Sequence, residues 1–275
     1  MVGAAARLVP IADAEASGLI AHALAREGVP VHLGLTVERV GQRAGAVLAK
    51  AGGLSLEAEQ LLVATGRRAY TDNLGLEAIG VRTDGGAVQV DRRLRTSVPG
   101  IYSAGDVTGG LQFTHYAGWQ GYAAARNALL PGSEAGIRSG LPWAIFTDPA
   151  IAQVGLSLAE ARQRHPRAAE HRLGLERVDR AETDGNPPGF LKLVSDAGGR
   201  LLGASVVSPH AGELINELSL AIELGAGIGD LARTIHVYPT YGSGIQELAA
   251  GVSLRRATAG WKGALLRRLI GRLGR

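Results

Sequence analysis

The chain has 275 residues and a formal net charge of +4, and 46% of its residues are hydrophobic, so it is long and apolar enough for one or two folded domains. It contains no cysteine, which excludes disulfides, thiolate metal sites and cysteine nucleophiles within the chain, and we predict no metal. Neither an apolar run of about 18 residues nor a signal-peptide pattern is present, so we predict a cytoplasmic protein. Basic residues are scattered until residue 255, which argues against nucleic-acid binding.

The first part of the chain has the pattern of half a nucleotide-binding domain. Residues 13–27 predict an amphipathic helix that Asp13 caps and Gly28 ends. Residues 29–34 predict a strand, and three further strand candidates follow in the segments VERV, AVLAK and QLLVAT.

The middle of the chain begins with turn residues after Thr65. Strands are predicted at 88–91 and 100–105, and a helix with small residues on one face at 113–130. The Pro/Gly/Ser-rich stretch 130–142 predicts a linker between domains.

The remainder is rich in strands. The candidates are WAIFT, IAQVG, HRLGLERV, FLKLVSD and LLGASVVS, and the last two predict a hairpin with DAGG as its turn. Helices are predicted at 211–224 and 229–235, so this part is an α+β domain.

The C-terminal residues 253–275 predict a basic amphipathic helix. The sequence favours a terminal helix that packs on the domain and leaves its arginines in water. The alternative is peripheral contact with an anionic membrane surface.

The segment TSVPGIYSAGDVTGG (96–110) ends an apolar run on Gly105 and Asp106. Glycine and aspartate are common where a strand meets a turn, which is the simplest interpretation. The functional interpretation is that Gly105 lets a ligand approach the backbone while Asp106 accepts hydrogen bonds from ligand hydroxyls.

Together with the residues around it, this segment resembles the second flavin motif of the class I pyridine nucleotide-disulfide oxidoreductases, a family that includes dihydrolipoamide dehydrogenase and mercuric reductase. The resemblance implies that Asp106, with Gly105, holds the ribityl and phosphate part of FAD. It places Thr65 and Gly66 where the chain passes from the NAD(P)H domain to the FAD domain. It also places five residues of 111–121 along the flavin ring: Gln112, Phe113, Thr114, His115 and Ala117.

The segment IHVYPTYGSGIQELA (235–249) resembles the His-Pro-Thr-x-x-Glu signature of the family. In the disulfide reductases its histidine protonates a thiolate across the dimer interface. Here Tyr238 takes the histidine position and Ser243 the glutamate position. A phenol titrates near 10 and an imidazole near neutral pH, so the usual proton relay is absent. Tyr238 is the candidate catalytic residue, and His236 is interpreted as structural.

Three elements of the family pattern are missing: both GxGxxG loops and the redox cysteine pair. The resemblance therefore covers the C-terminal portion of such an enzyme, and a truncated gene, a fragmentary reading frame or an internal start is the simplest explanation. It implies α/β nucleotide-binding domain remnants followed by an α+β interface domain with an antiparallel sheet. The predicted ranges are 1–64 for half of the NAD(P)H domain, 65–139 for the second FAD segment, 140–252 for the interface domain and 253–275 for the basic helix.

Two hypotheses follow. In the first, the chain is part of a homodimeric, FAD-dependent NAD(P)H oxidoreductase, with hydride passing from NAD(P)H to flavin and then to an acceptor. In the second, it is a non-catalytic dimerisation module or half of a split enzyme.

Overall fold

The computed structural model describes residues 1–185 and 187–259. Two compact units are present: one combines residues 1–60 with the chain from Pro142 onward, and the other comprises Leu61–Leu141. The boundary between the two units at Leu141 lies inside the linker predicted at 130–142. The assignment of ranges to nucleotide-binding domains stays a prediction. No helix in the described part of the chain has the length and apolar character needed to cross a membrane.

The first unit opens with a short β-α-β segment. Strand β1 (Val2–Gly3) pairs in parallel with β2 (His32–Leu33), and helix α1 (Ala14–Arg26) connects them. The carboxylate of Asp13 accepts a hydrogen bond from the Glu15 amide at 2.8 Å, which caps the helix as predicted. The strand predicted at 29–34 is reduced to two residues.

A three-stranded antiparallel meander follows, with strands β3 (Val37–Arg43), β4 (Ala46–Ala51) and β5 (Leu54–Ala58). The prediction of a strand over QLLVAT was wrong. No strand of the described chain pairs with this segment, and Leu62 is 90% exposed. An apolar run of this kind becomes a strand only where neighbouring strands and packed faces cover it.

The main element of the first unit is a five-stranded antiparallel sheet in the order β10-β11-β12-β9-β8. Its strands are β8 (Trp143–Ile145), β9 (Ala150–Gly155), β10 (Ala169–Gly174), β11 (Phe190–Ser195) and β12 (Leu201–Ser208). The turn predicted at DAGG joins β11 to β12, where the Asp196 amide donates to the Arg200 carbonyl at 3.0 Å. The antiparallel sheet predicted for this region is confirmed.

Helices surround this sheet. They are α3 (Leu158–Arg164), α4 (Asp179–Thr183), α5 (Ala211–Glu223), α6 (Ile228–Arg233) and α7 (Ser243–Thr258). The helices predicted at 211–224 and 229–235 correspond to α5 and α6. A basic helix was predicted at 253–275. Its first residues form the end of α7, and residues 260–275 lie outside the described residues.

Both faces of the sheet are buried, because successive side chains of a strand point to opposite sides. Leu191 and Leu193 of β11 join the large apolar cluster that α5 and α7 complete. On the other face, Phe190 packs with Ile20 of α1 in a second apolar cluster. Helix α1 is therefore an integral part of this unit.

The second unit has little regular structure. It contains the short strands β6 (Thr83–Asp84) and β7 (Ala87–Val88), two 3-10 turns and helix α2 (Thr114–Leu129), which matches the helix predicted at 113–130. Of the strand predicted at 88–91 only Val88 is in a strand, as the last residue of β7, and the strand predicted at 100–105 is reduced to one bridge between Arg95 and Tyr102.

Side chains explain why these strands are lost. The Asp91 carboxylate accepts from the amides of Arg93 and Arg95 at 2.8 and 3.0 Å, and the Thr96 hydroxyl donates to the Ile101 carbonyl at 3.0 Å. Such local hydrogen bonds compete with a sheet ladder and hold the chain in tight turns.

Candidate functional site

Gly105 has a backbone conformation that requires glycine. Its φ and ψ are +80° and −157°, and a Cβ at this position would lie 2.8 Å from the Ala117 Cβ. Its amide donates to the Oε1 atom of Gln120 at 2.9 Å, and the same side chain donates to the Gly136 carbonyl at 3.0 Å. The buried Gln120 therefore fixes the turn that precedes Asp106.

Asp106 begins the 3-10 turn Asp106–Thr108, and its side chain is exposed. The Thr108 hydroxyl donates to the Gly105 carbonyl at 2.8 Å, which closes this turn. Within the described ranges no side chain or amide donates to the Asp106 carboxylate. The exposed carboxylate therefore has acceptor capacity left for a hydrogen-bond donor.

The residues predicted to lie along a flavin ring form the start of α2. Phe113 is the N-cap residue and provides no side-chain cap, and its ring stacks on that of His115 at a centroid distance of 5.5 Å. The first amides of a helix have no intrahelical partner and carry partial positive charge. The start of α2, from Thr114, is therefore suited to an electron-rich group.

The predicted crossing segment contacts this region. The Arg67 side chain, next to Gly66 in the chain, donates to the Gln112 carbonyl at 3.1 Å. Ala117 faces Gly105 from the first turn of the helix. All nine residues predicted to bind a cofactor thus belong to one unit. The structure brings Gly105 and Ala117 together, whereas Thr65 and Gly66 are linked to the region only through the neighbouring Arg67.

A cavity of about 690 Å³ lies in the same unit. Thr108 and Gly109 form part of its wall, with Tyr116 and Gln120 of α2 and the charged Arg138. Asp106 does not line it. Arg138 lines the cavity, whose volume is large enough for part of a cofactor.

The loop between α6 and α7 carries the C-terminal signature in the first unit. His236 is anchored on both ring nitrogens, with Nε2 2.8 Å from the Glu217 carboxylate and Nδ1 3.0 Å from the Thr234 carbonyl. The Gln246 side chain accepts from its backbone amide at 3.3 Å. These contacts give His236 an anchoring role in the loop.

Tyr238 is two residues further, with its side chain exposed and a cis peptide bond to Pro239. Its hydroxyl donates to the Oδ2 atom of Asp179 at 2.8 Å. This hydrogen bond and the carboxylate charge raise the pKa of the phenol. Ser243, at the glutamate position of the signature, donates its hydroxyl to the Thr240 carbonyl at 2.7 Å and closes the loop.

Sequence reasoning missed a buried ionic cluster centred on Lys192 of β11. Its ammonium group lies 3.0 Å from Asp13, 3.1 Å from Glu15 and 3.5 Å from Glu170, and it also sits over the Phe190 ring. Burial lowers the pKa of Lys192, but the three carboxylates outweigh it and the pKa is raised. The one available signal was a lysine in the middle of an apolar strand pattern.

The Asp179–Tyr238 contact was also missed, because 59 residues separate its partners. No local pattern marks such a pair.

Comparison with known proteins identifies the family. Residues 1–121 match the pyridine nucleotide-disulphide oxidoreductase model, and residues 141–249 match the dimerisation domain of the same oxidoreductases. The chain is 39% identical over 250 residues to the dihydrolipoyl dehydrogenase of Thermus scotoductus, covering 88% of this chain and 54% of that protein. It is 40% identical over 233 residues to the mercuric reductase of Acidithiobacillus ferrooxidans, covering 84% of this chain and 42% of that protein.

Solved structures agree. The HOCl-induced flavoprotein disulfide reductase RclA from Escherichia coli matches 91% of this chain and 58% of its own, with a TM-score of 0.85 and 29% identity. LpdA from Mycobacterium tuberculosis matches 91% of this chain and 55% of its own, with the same TM-score and 31% identity. The chain spans about half the length of the curated relatives it matches. On these matches, the chain belongs to the class I pyridine nucleotide-disulphide oxidoreductase family.

Proposed function

We propose that the chain is part of an FAD-dependent NAD(P)H oxidoreductase similar to dihydrolipoyl dehydrogenase and mercuric reductase. The observation that carries the proposal is the Gly105–Asp106 turn, held by Gln120 and followed by the open start of α2. This arrangement occurs inside the region that matches the oxidoreductase family model.

The residues present fit one side of an FAD site. The glycine-only conformation at Gly105 keeps the backbone close to Ala117, and the Asp106 carboxylate is exposed toward solvent. In the proposal, Asp106 accepts hydrogen bonds from ribityl hydroxyls. Residues 112–117 would lie beside the flavin ring, and the amides at the start of α2 would favour negative charge there.

FAD, when bound, supplies the capacity to take hydride from NAD(P)H and pass electrons to an acceptor. This chain's own part is to hold and orient the cofactor. Residues 1–64 are proposed as the second half of an NAD(P)H domain. The β1–α1–β2 segment, with its parallel strand pair, supports that proposal. A cytoplasmic location, predicted from the sequence, is part of the same proposal.

A homodimer through the C-terminal domain completes the proposal. The loop of Tyr238 carries strongly exposed apolar side chains, among them Ile235 at 91% and Val237 at 77%. Exposed apolar patches of this kind mark protein contacts. The match to the family's dimerisation domain supports the same assignment. Tyr238 is then the candidate residue that faces the acceptor.

The second candidate is a non-catalytic dimerisation module, or half of a split enzyme. The observation that favours it is the contrast in packing: the sheet of the first unit is buried on both faces, while Leu62 of the second unit lies open to solvent. Under this alternative the chain dimerises but retains no FAD.

One experiment separates the two. The purified 275-residue chain is incubated with FAD and desalted, and flavin absorbance and NADH- or NADPH-dependent reduction of an artificial acceptor are recorded. The oxidoreductase proposal expects retained flavin, and the alternative expects a colourless dimer.

A matched pair of variants sharpens the result. Asp106→Asn removes the charge that the proposal uses, and we expect weaker FAD binding by roughly tenfold, the worth of about one charge-assisted hydrogen bond. Asp72→Asn removes an exposed carboxylate of the same unit that pairs with Arg68, and it should leave binding unchanged. Equal effects of the two substitutions would refute the assigned role of Asp106.

A further inference from the structure

The backbone around Tyr238 is held firmly. Glu217 binds His236 at 2.8 Å on one side, and the Thr240 hydroxyl donates to the Val237 carbonyl at 2.6 Å on the other. The Tyr238 side chain itself is 69% exposed. Without a partner such a ring would occupy several rotamers, so the contact with Asp179 decides where its hydroxyl lies.

Asp179 is equally well placed. It begins α4 between Val178 and Ala181, which are 2% and 0% exposed, so the packed interior fixes the backbone on both sides of the carboxylate. Its neighbour Arg180 pairs with Asp184 at 3.0 Å rather than with Asp179. The carboxylate is therefore directed to the phenol, at an O–O distance of 2.8 Å.

The chemistry of this pair limits what Tyr238 can do. A phenol has one proton to donate and two lone pairs that accept, and an ionised carboxylate only accepts. The phenol proton is therefore used in the bond to Asp179. The charge of the acceptor strengthens this bond relative to one between neutral groups. What the exposed oxygen still offers to another molecule is acceptor capacity.

We propose that Asp179 is a positioning residue that accepts the hydrogen bond of the Tyr238 hydroxyl and so leaves position 238 as a hydrogen-bond acceptor toward other molecules, in place of the proton donor that a histidine supplies there. The proposal rests on the proposed function, in which this loop faces the electron acceptor. The proposal assigns the electron acceptor a chemical class: it is a molecule that presents an N–H or O–H donor or a positive charge to the phenol oxygen.

The test uses the full chain and needs no cofactor. Difference spectra between the wild type and Tyr238→Phe isolate one of the six tyrosines. The Raman doublet of the tyrosine ring reports whether its hydroxyl donates or accepts, and tyrosinate absorbance reports its pKa. We expect a strong-donor signature and a pKa above the ordinary value of about 10 for Tyr238. In Asp179→Asn the pKa should return toward that value, and in Asp179→Ala the donor signature should disappear.

The matched control is Asp184→Asn. Asp184 lies just after the same short helix and pairs with Arg180, but it acts on Tyr241 and not on Tyr238. It should leave both Tyr238 signals unchanged. Circular dichroism verifies that every variant is folded. If Tyr238 gives the same Raman and titration signals in the wild type and in Asp179→Ala, the proposal is wrong.

A kinetic arm tests the acceptor class in the flavin-loaded chain. Tyr238→Phe removes the phenol oxygen that would accept this hydrogen bond. For electron acceptors that carry N–H or O–H groups, we expect KM to rise by about three- to tenfold, because about one hydrogen bond is lost, while kcat changes little. The KM for ferricyanide, which has no such donor, should stay the same. Failure to take up flavin counts against the proposed function, whereas the spectroscopic result alone decides the role of Asp179.

Discussion

The Lys192 cluster provides the sharpest test of how the first unit is held together. The substitution is Lys192→Met, which keeps an unbranched side chain in β11 but removes the ammonium group. The Lys192 side chain is 8% exposed, and the carboxylates of Asp13, Glu15 and Glu170 meet on it. Without the lysine, three acidic groups remain close together beside an apolar cluster.

The magnitude follows from the geometry. Removing one partner of a buried ion pair costs about 3–5 kcal/mol, because the other charge stays buried without compensation. Here Asp13 is 21% and Glu170 28% exposed, so both carboxylates can recover some hydration. Glu15 also keeps its bond to Arg172 at 2.7 Å. We therefore expect the lower end, about 3 kcal/mol, or a melting temperature lower by about 6–12 °C for a unit of this size.

The assay is urea unfolding followed by the fluorescence of Trp143, which packs against the cluster of Phe190 and Ile20. Replacing Trp119 and Trp261 with phenylalanine isolates this signal. The matched control is Lys50→Met, because Lys50 is an exposed lysine of β4. A loss for Lys192→Met below about 1 kcal/mol, or one equal to that of the control, would refute the reasoning.

The pH dependence gives an independent check. Burial acts to raise the pKa of Glu15, but hydrogen bonds and charges of Arg172 and Lys192 outweigh it, and the pKa is lowered. A carboxyl with a lowered pKa stabilises the fold above its unfolded value and loses that contribution as the pH falls through its folded value. The difference in stability between the wild type and Lys192→Met should thus shrink below about pH 4.

Three further predictions concern single contacts. Gly105→Ala places a Cβ 2.8 Å from Ala117 at a φ of +80° and should lower the stability of the second unit by about 1–3 kcal/mol in thermal unfolding, whereas Gly110→Ala, with open space around it, should not. Gln120→Leu leaves the buried Gly105 amide without its acceptor and should cost about 1–3 kcal/mol in the same assay, more than Gln112→Leu. Burial lowers the pKa of His171, so stability should rise with pH from the folded pKa up to the unfolded value of about 6.5, where the rise ends, and His171→Gln should flatten that rise.

The sequence predicted the elements whose pattern is local. Helix α1 follows from the Asp13 cap and its apolar face, and the β11–β12 hairpin follows from alternating apolar residues around DAGG. The strands around 100–105 were mispredicted because Asp91 and Thr96 satisfy the backbone through side-chain hydrogen bonds, which a count of apolar residues does not register.

The candidate site was predictable only in part, for the same physical reason. Gly105 and Asp106 are neighbours in the chain, so a motif reveals them. Lys192 and Asp13 are separated by 179 positions in the chain, and Tyr238 and Asp179 by 59. Nothing in the sequence near either partner indicates that these residues are in contact. A lysine within an apolar strand indicates that a counter-charge is needed, but not which acidic residue supplies it.

The two units make the two proposed functions physically separable. The first unit has a sheet covered on both faces and a buried ionic cluster that ties α1 to β11, so its fold depends on contacts within the unit. The second unit relies on turns closed by side chains such as Asp91, Thr96 and Gln120, each worth about 1 kcal/mol, so it gains more from a bound ligand. Dimerisation should therefore survive substitutions at Gly105 or Asp106, while flavin binding should be sensitive to them. Loss of dimerisation in Asp106→Asn would mean that the two functions share one folding unit.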